Sequence, residues 1–153
     1  MRPSDMPDVK RISDIVHADL TESDAVFARR LELFPQGCFM TVDGYAVAHP
    51  ALVGMPPALD ELDYQWPQHA DALHIHDVAL LEHRRGGGLG HSVVSMLLAA
   101  GRAHGLRCST LVAVGGKAGY WQRHGYSAHH AAKSHVIAGY GAGATYMWRD
   151  LTR

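Results

Sequence analysis

Cysteine is scarce. Only Cys38 and Cys108 occur, far apart and without CxxC spacing, so neither a disulfide framework nor a cysteine metal knuckle is available. Two isolated thiols suit a reducing compartment, where they act as small core residues. Apolar runs are also short. None approaches the roughly 18 residues needed to cross a bilayer, and Met1-Arg2-Pro3-Ser4-Asp5 lacks the apolar core of a signal peptide. The expected location is therefore the cytoplasm, with no membrane partner. No excess of one charge exists either: 14 Lys plus Arg stand against 15 Asp plus Glu, so no overall field favours nucleic acid. Repeats and linkers are lacking too, and 153 residues suffice for one core, so residues 1–153 are read as a single domain.

What is present is histidine, twelve in all, together with an ordered run of short elements. Val9, Ile12, Ile15 and Val16 recur at helical spacing from about Pro7 to Ala18. Thr21-Glu22-Ser23-Asp24 has the composition of a cap, opening a second helix that Pro35 and Gly37 end. Phe39–Val42 and Tyr45–Ala48 flank Asp43-Gly44 as a hairpin. From His49 to about Asp71 four prolines and weak periodicity predict a long loop, of the kind that often walls a binding site. A strand (Leu73–Leu81), a helix (Gly90–His104), a strand (Ser109–Val114), a short helix (Ala118–His124) and a last strand (Thr145–Leu151) follow. The order predicts a mixed α/β (α+β) sheet with helices on its faces.

The stretch LHIHDVALLEHRRGGGLGHSVV, Leu73 to Val94, carries the chemistry. A strand, a glycine turn and a helix start present bare backbone N–H groups to an anion. The P-loop pattern GxxxxGK[ST] is excluded, because no lysine follows Gly90. The dinucleotide pattern GxGxxG fails at Val93 and comes too late in the chain. What survives is Arg85-Gly86-Gly87-Gly88-Leu89-Gly90, an R-x-x-G-x-G hexad. Glycines let the backbone approach phosphates closely, and charged hydrogen bonds of about 1.5–3 kcal/mol each outweigh a helix dipole of about 0.3–1 kcal/mol.

This hexad resembles the acyl-CoA pyrophosphate loop of the GNAT superfamily of N-acyltransferases. VALLEHRRGGGLG resembles that family's strand-to-loop run, and AGYWQRHGY its later motif, with Tyr120-Trp121 as the aromatic pair and Gly125-Tyr126 as the ending. GCFMTVDGYAVAHP is similar to its second and third strands. The likeness covers about Phe34 to Leu151 and is strongest from Leu73 to Tyr126. It implies a largely antiparallel sheet splayed between the fourth and fifth strands, with acetyl-CoA as co-substrate in the gap. Val78, Ala79 and Leu80 would align the pantetheine arm. Arg85, Gly86, Gly87, Gly88, Leu89, Gly90 and His91 would hold the phosphates, and Trp121 would wall the channel.

Amine acylation has a basic difficulty. An alkyl amine with a pKa of about 10.4 is neutral only about once in ~2,500 molecules at pH 7, a deficit of roughly 4.6 kcal/mol. Histidine suits the task of removing that proton. His74 and His76 are two apart and therefore share one strand face, with Asp77 expected on the other. An H-x-H at this spacing is similar to that of the arylalkylamine N-acetyltransferases, where it relays protons. Two core histidines remain an equal reading of the residues. A metal site would need further ligands, for which His129 and His130 lack ordinary spacing, so no metal is expected.

The sequence also departs from the family. Trp121 occupies the place of its general-acid tyrosine, Gly115 that of an asparagine, and the first strand is nearly absent. Lys117, Arg123 and His124 could meet nucleotide phosphates, and Tyr64 and Trp66 could line the acceptor site. The resemblance implies an N-acetyltransferase acting on a small-molecule primary amine by direct attack in a ternary complex, with a homodimer left open. A CoA-binding sensor or interaction module without activity is the alternative that the missing tyrosine and asparagine motivate.

Overall fold

The computed structural model describes residues 1–152. The chain begins with helix α1 (Met6–Val16) and helix α2 (Asp24–Leu33), then the hairpin β1 (Cys38–Thr41) and β2 (Gly44–Ala51). Strand β3 (Ala72–Leu80) leads through the glycine turn into helix α3 (Leu89–Ala103) and strand β4 (Cys108–Ala113). Helix α4 (Ala118–Arg123), strand β5 (Ser127–Ala128), helix α5 (Ser134–Ala138) and strand β6 (Thr145–Asp150) complete it. The sheet order is β1-β2-β3-β4-β6-β5, antiparallel throughout except for the β3–β4 pair.

Strand alternation sends side chains to two cores. On one face Tyr45, Val47 and Ala79 meet Val9 and Ile12 of α1 and Phe27 and Leu31 of α2. On the other, Ala46, Ala48, Leu73 and Ile75 meet Val93, Val94, Leu97 and Leu98 of α3. Leu97 is fully buried, and such a side chain contributes about 1.5–3 kcal/mol of transfer free energy. Helices thus cover both faces, as the sequence leads one to expect.

Two features differ from the sequence reading. His49, Pro50 and Ala51 belong to β2 rather than to the long loop, because they pair with His74, Leu73 and Ala72; the irregular span is 52–71. As expected, no strand precedes α1 among the described residues, so the fourth and fifth strands of the expected pattern are β3 and β4 here. Their pairing runs only from Ala72–Ile75 against Cys108–Leu111, after which the two strands part.

The second difference is a bulge. Val47 pairs with Asp77, yet its neighbour Ala48 pairs with Ile75, so His76 is an extra residue in β3. One inserted residue shifts the alternation, and His76 and Asp77 therefore point to the same face. Asp77 was expected on the opposite side. Its carboxylate instead meets His17 and Tyr45 on the α1 face.

Candidate active site

Where β4 leaves β3, the backbone of β3 opens. Ala72 to Ile75 are buried, whereas His76, Asp77 and Val78 are partly exposed. The side chains of His76 and Asp77 are only 2% and 12% exposed, so the open surface there is largely main chain. Past Ile75, the edge of β3 that faces β4 has no ladder partner, and its main-chain groups, apart from the Leu80 carbonyl that Arg85 holds, can align an extended ligand. Val78, Ala79 and Leu80 lie on this segment.

The segment ends at the glycine turn. Arg85 folds back, its Nε–H donating to the carbonyl of Leu80 at 3.0 Å. Gly86 and Gly88 have φ of +84° and +81°, a region that side chains disfavour, and Gly88 is the N-cap of α3. A Cβ built on Gly86, Gly87 or Gly88 meets no atom within 4 Å, so no part of the protein packs against that side of the turn. The N–H of Ser92 bonds to Gly88, which leaves the amides of Leu89, Gly90 and His91 at the helix start without a carbonyl four residues back inside the helix. Amides gathered at a helix start in this way can donate hydrogen bonds to an anion.

On the α1–α2 face a cluster of imidazoles lies beneath the divergence. His49 and His74 are cross-strand partners with ring centroids 5.5 Å apart, and His49 and His76 are 5.8 Å apart. His49 is fully buried; burial and the neighbouring His74 and His76 hold it well below the usual histidine range. Its Nδ1–H donates to the carbonyl of Pro50, 3.0 Å away. His74 shares a 3.0 Å hydrogen bond between Nδ1 and Thr110 Oγ1 across β3–β4, and burial, then His76 and Arg30, push it down to about 3. His76 Nε2 lies 2.9 Å from Glu22 Oε2, and its Nδ1 is buried with no partner. The structure thus brings together the two expected histidines and adds His49, Thr110 and Glu22. His49 could have been found by pairing the 44–51 segment against 72–80. Glu22 has no local signal, because it lies beyond α1 in sequence.

Asp77 closes a second network beside the first. Its Oδ1 lies 2.8 Å from His17 Nε2, and Tyr45 Oη–H donates to its Oδ2. Burial would raise the Asp77 carboxyl, but the charge and hydrogen bond of His17 and the Tyr45 hydroxyl together hold it below its ordinary value. Burial would lower His17, and the Asp77 charge and hydrogen bond outweigh this and raise it.

The aromatic candidates separate. Tyr64 joins the cluster: its ring is 4.5 Å from that of His49, its hydroxyl donates to Pro50, and the Arg30 guanidinium stacks over it at 4.9 Å. Trp66 instead packs against Phe34, which belongs to the α3-side core. Trp121 is buried in that same core, edge-on to Tyr126 at 5.5 Å. Its neighbour Tyr120 reaches the head of α3, with its hydroxyl 2.8 Å from where a Cβ on Gly90 would sit. Arg123 and His124 line a groove of about 400 Å³ with His91, Arg102 and Arg149, and His124 stacks on His91 at 5.3 Å. Lys117 caps α4. Among the described residues no group of three or more His, Cys, Asp or Glu side chains could hold a metal ion, and no helix is long and apolar enough to cross a membrane.

No protein-family model matches the sequence, and no curated protein does. Solved structures match the whole fold. Ard1 from Thermoplasma volcanium superposes with a TM-score of 0.73 at 15% identity, covering 100% of this chain and 95% of its own. The GNAT-like decarboxylase GphF, solved with isobutyryl-CoA, gives 0.73 at 18% identity over 99% and 97% of the two chains. A protein from Desulfovibrio desulfuricans assigned to the GNAT family of acetyltransferases gives 0.65 at 18% over 99% and 95%. The fold is therefore that of the GNAT acetyltransferases. At these identities the likeness establishes architecture, and one of these neighbours is named for decarboxylation, so the reaction has to be argued from the site.

Proposed function

We propose that this chain transfers an acetyl group from acetyl-CoA to the primary amine of a small molecule, by direct attack within a ternary complex. One observation carries the reading: the unpaired edge of β3 connects the open glycine turn to the bulge at His76, whose buried Nδ1 has no hydrogen-bond partner in the protein. A carrier whose diphosphate rests on the amides of Leu89, Gly90 and His91 would run its pantetheine arm along Val78, Ala79 and Leu80. Its thioester would then reach the point where β3 and β4 part.

His76 is the base of choice among the three imidazoles. Both His49 and His74 resist protonation and have Nδ1 engaged. His76 Nδ1 is buried and unpaired, and His49 Nε2 is as well, so the choice rests on the place of His76 at the bulge where β3 and β4 part. The amine nitrogen attacks the thioester carbon, its proton passes to His76 Nδ1, and the C–S bond breaks to release CoA thiolate. Main-chain N–H groups of the open β3 edge would meet the developing oxyanion. A thiol of pKa about 8.5 leaves without a dedicated acid, which fits Trp121 standing where the family has tyrosine.

The test is thiol release from acetyl-CoA across a panel of arylalkylamines, polyamines, amino acids and peptide N-termini. Release with at least one amine supports the reading. CoA that protects the fold against heat while no amine yields thiol supports instead a binding module that has lost its chemistry.

A further inference from the structure

Glu22 sits between α1 and α2, 54 positions from His76 in sequence, yet its carboxylate meets the histidine ring on the floor of the site. Both side chains are nearly removed from solvent, 8% and 2% exposed. The carboxylate is itself fixed from behind: the backbone N–H of Asp60 donates to Glu22 Oε1 at 2.9 Å. Asp60 in turn adopts φ +58° and accepts hydrogen bonds from the backbone N–H and hydroxyl of Ser23. The 52–71 loop and the α1–α2 loop thereby lock together around this one carboxylate.

We infer that Glu22 is a positioning residue that holds His76 in the Nε2–H tautomer, so that Nδ1 carries the lone pair. The reasoning is one of donor and acceptor roles. An ionised carboxylate only accepts, so the nitrogen 2.9 Å from Glu22 Oε2 must carry the hydrogen. In a neutral ring the other nitrogen is then the acceptor. That other nitrogen, Nδ1, is buried and has no partner. Around the ring stand Phe27, edge-on at 6.3 Å, and His49 at 5.8 Å. His74 and Asp77 flank it on β3. Burying a free lone pair costs stability, and the cost is understandable if a proton donor comes to it during the reaction.

The inference deepens the acyl-transfer reading and takes its chemistry from it, but the tautomer is observable without any substrate. The experiment is nitrogen-detected NMR of protein labelled with 15N-histidine, at a pH of about 8 where ordinary imidazoles are neutral. His76→Gln identifies the His76 signals by their loss. The expected result is a pyridine-like Nδ1 and a pyrrole-like Nε2 at His76. In Glu22→Ala the two tautomers should mix, and kcat should fall about 10-fold or more with KM for acetyl-CoA unchanged. Glu22→Gln keeps an accepting oxygen and should recover most of the tautomer; if the alanine variant does not fold, Glu22→Leu, which fills the space without an acceptor, takes its place. A protonated Nδ1 in the unsubstituted protein overturns the inference. So does a Glu22→Ala protein whose tautomer and kcat both match the original. Absence of acetyl transfer with the expected tautomer present would remove the proposed reaction and leave the pairing of Glu22 with His76 standing.

Discussion

His17 Nε2 lies 2.8 Å from Asp77 Oδ1, and this contact ties the end of α1 to the bulge in β3. It also makes stability depend on pH. The Asp77 carboxyl is held below its ordinary value of 3.8, so its contribution is present above that value and fades as pH falls through the lower folded one. His17 is held above 6.5, so its contribution is present below 6.5 and fades as pH rises through the higher folded value. The pair is strongest between roughly pH 4 and 6.5. Asp77→Asn should therefore cost more stability at about pH 5.5 than at about pH 9, measured by urea unfolding at both. An equal cost at the two pH values would count against the ion pair.

The two histidines of β3 should separate experimentally. His76→Gln is expected to lower kcat about 100-fold or more while CoA affinity is kept. His74→Gln breaks the buried bond to Thr110 and should cost about 1–3 kcal/mol of stability with a smaller effect on kcat. Kinetics and denaturant melts on both variants distinguish base from support.

At the glycine turn, Gly88→Ala places a methyl group at φ +81° in open space. The backbone cost is about 1–2 kcal/mol. CoA affinity should drop further, because relief of the positive φ would redirect the amides of the turn. Calorimetric titration with CoA measures this; unchanged affinity would place the carrier elsewhere.

Leu97→Ala tests the anchoring of α3. This side chain is fully buried among Leu73, Leu111 and Met147, and its truncation should cost about 2–5 kcal/mol in chemical denaturation.

Much of this site could be read from sequence because it is local. Arg85 to Gly90 form one contiguous turn, and helical spacing on α3 marks Val93 and Leu97. Met96 and Ala100, read onto the same stripe, give way to buried Val94 and Leu98, and Met96 is exposed. The bulge could not be read. An extra residue at His76 exists only relative to Val47 and Ala48 on another strand, so alternation along β3 alone misplaces Asp77. Glu22 was hidden for a similar reason. It reads as part of a helix cap, but Ser23 is the N-cap, makes no capping bond through its side chain, and turns its hydroxyl to Asp60. Trp121 has the right place in the motif, yet its packing against Tyr126 follows from the path of β4 and β6. Contacts set by register and by crossing loops lie beyond local pattern.

The most direct measurement is a crystal structure with acetyl-CoA bound. The expected result has the diphosphate on the amides from Gly86 to His91, the pantetheine arm along Val78 to Leu80, and the thioester carbonyl carbon beside the bulge at His76. A carrier bound in the basic groove between α3 and α4, with the β3–β4 gap untouched, would contradict it.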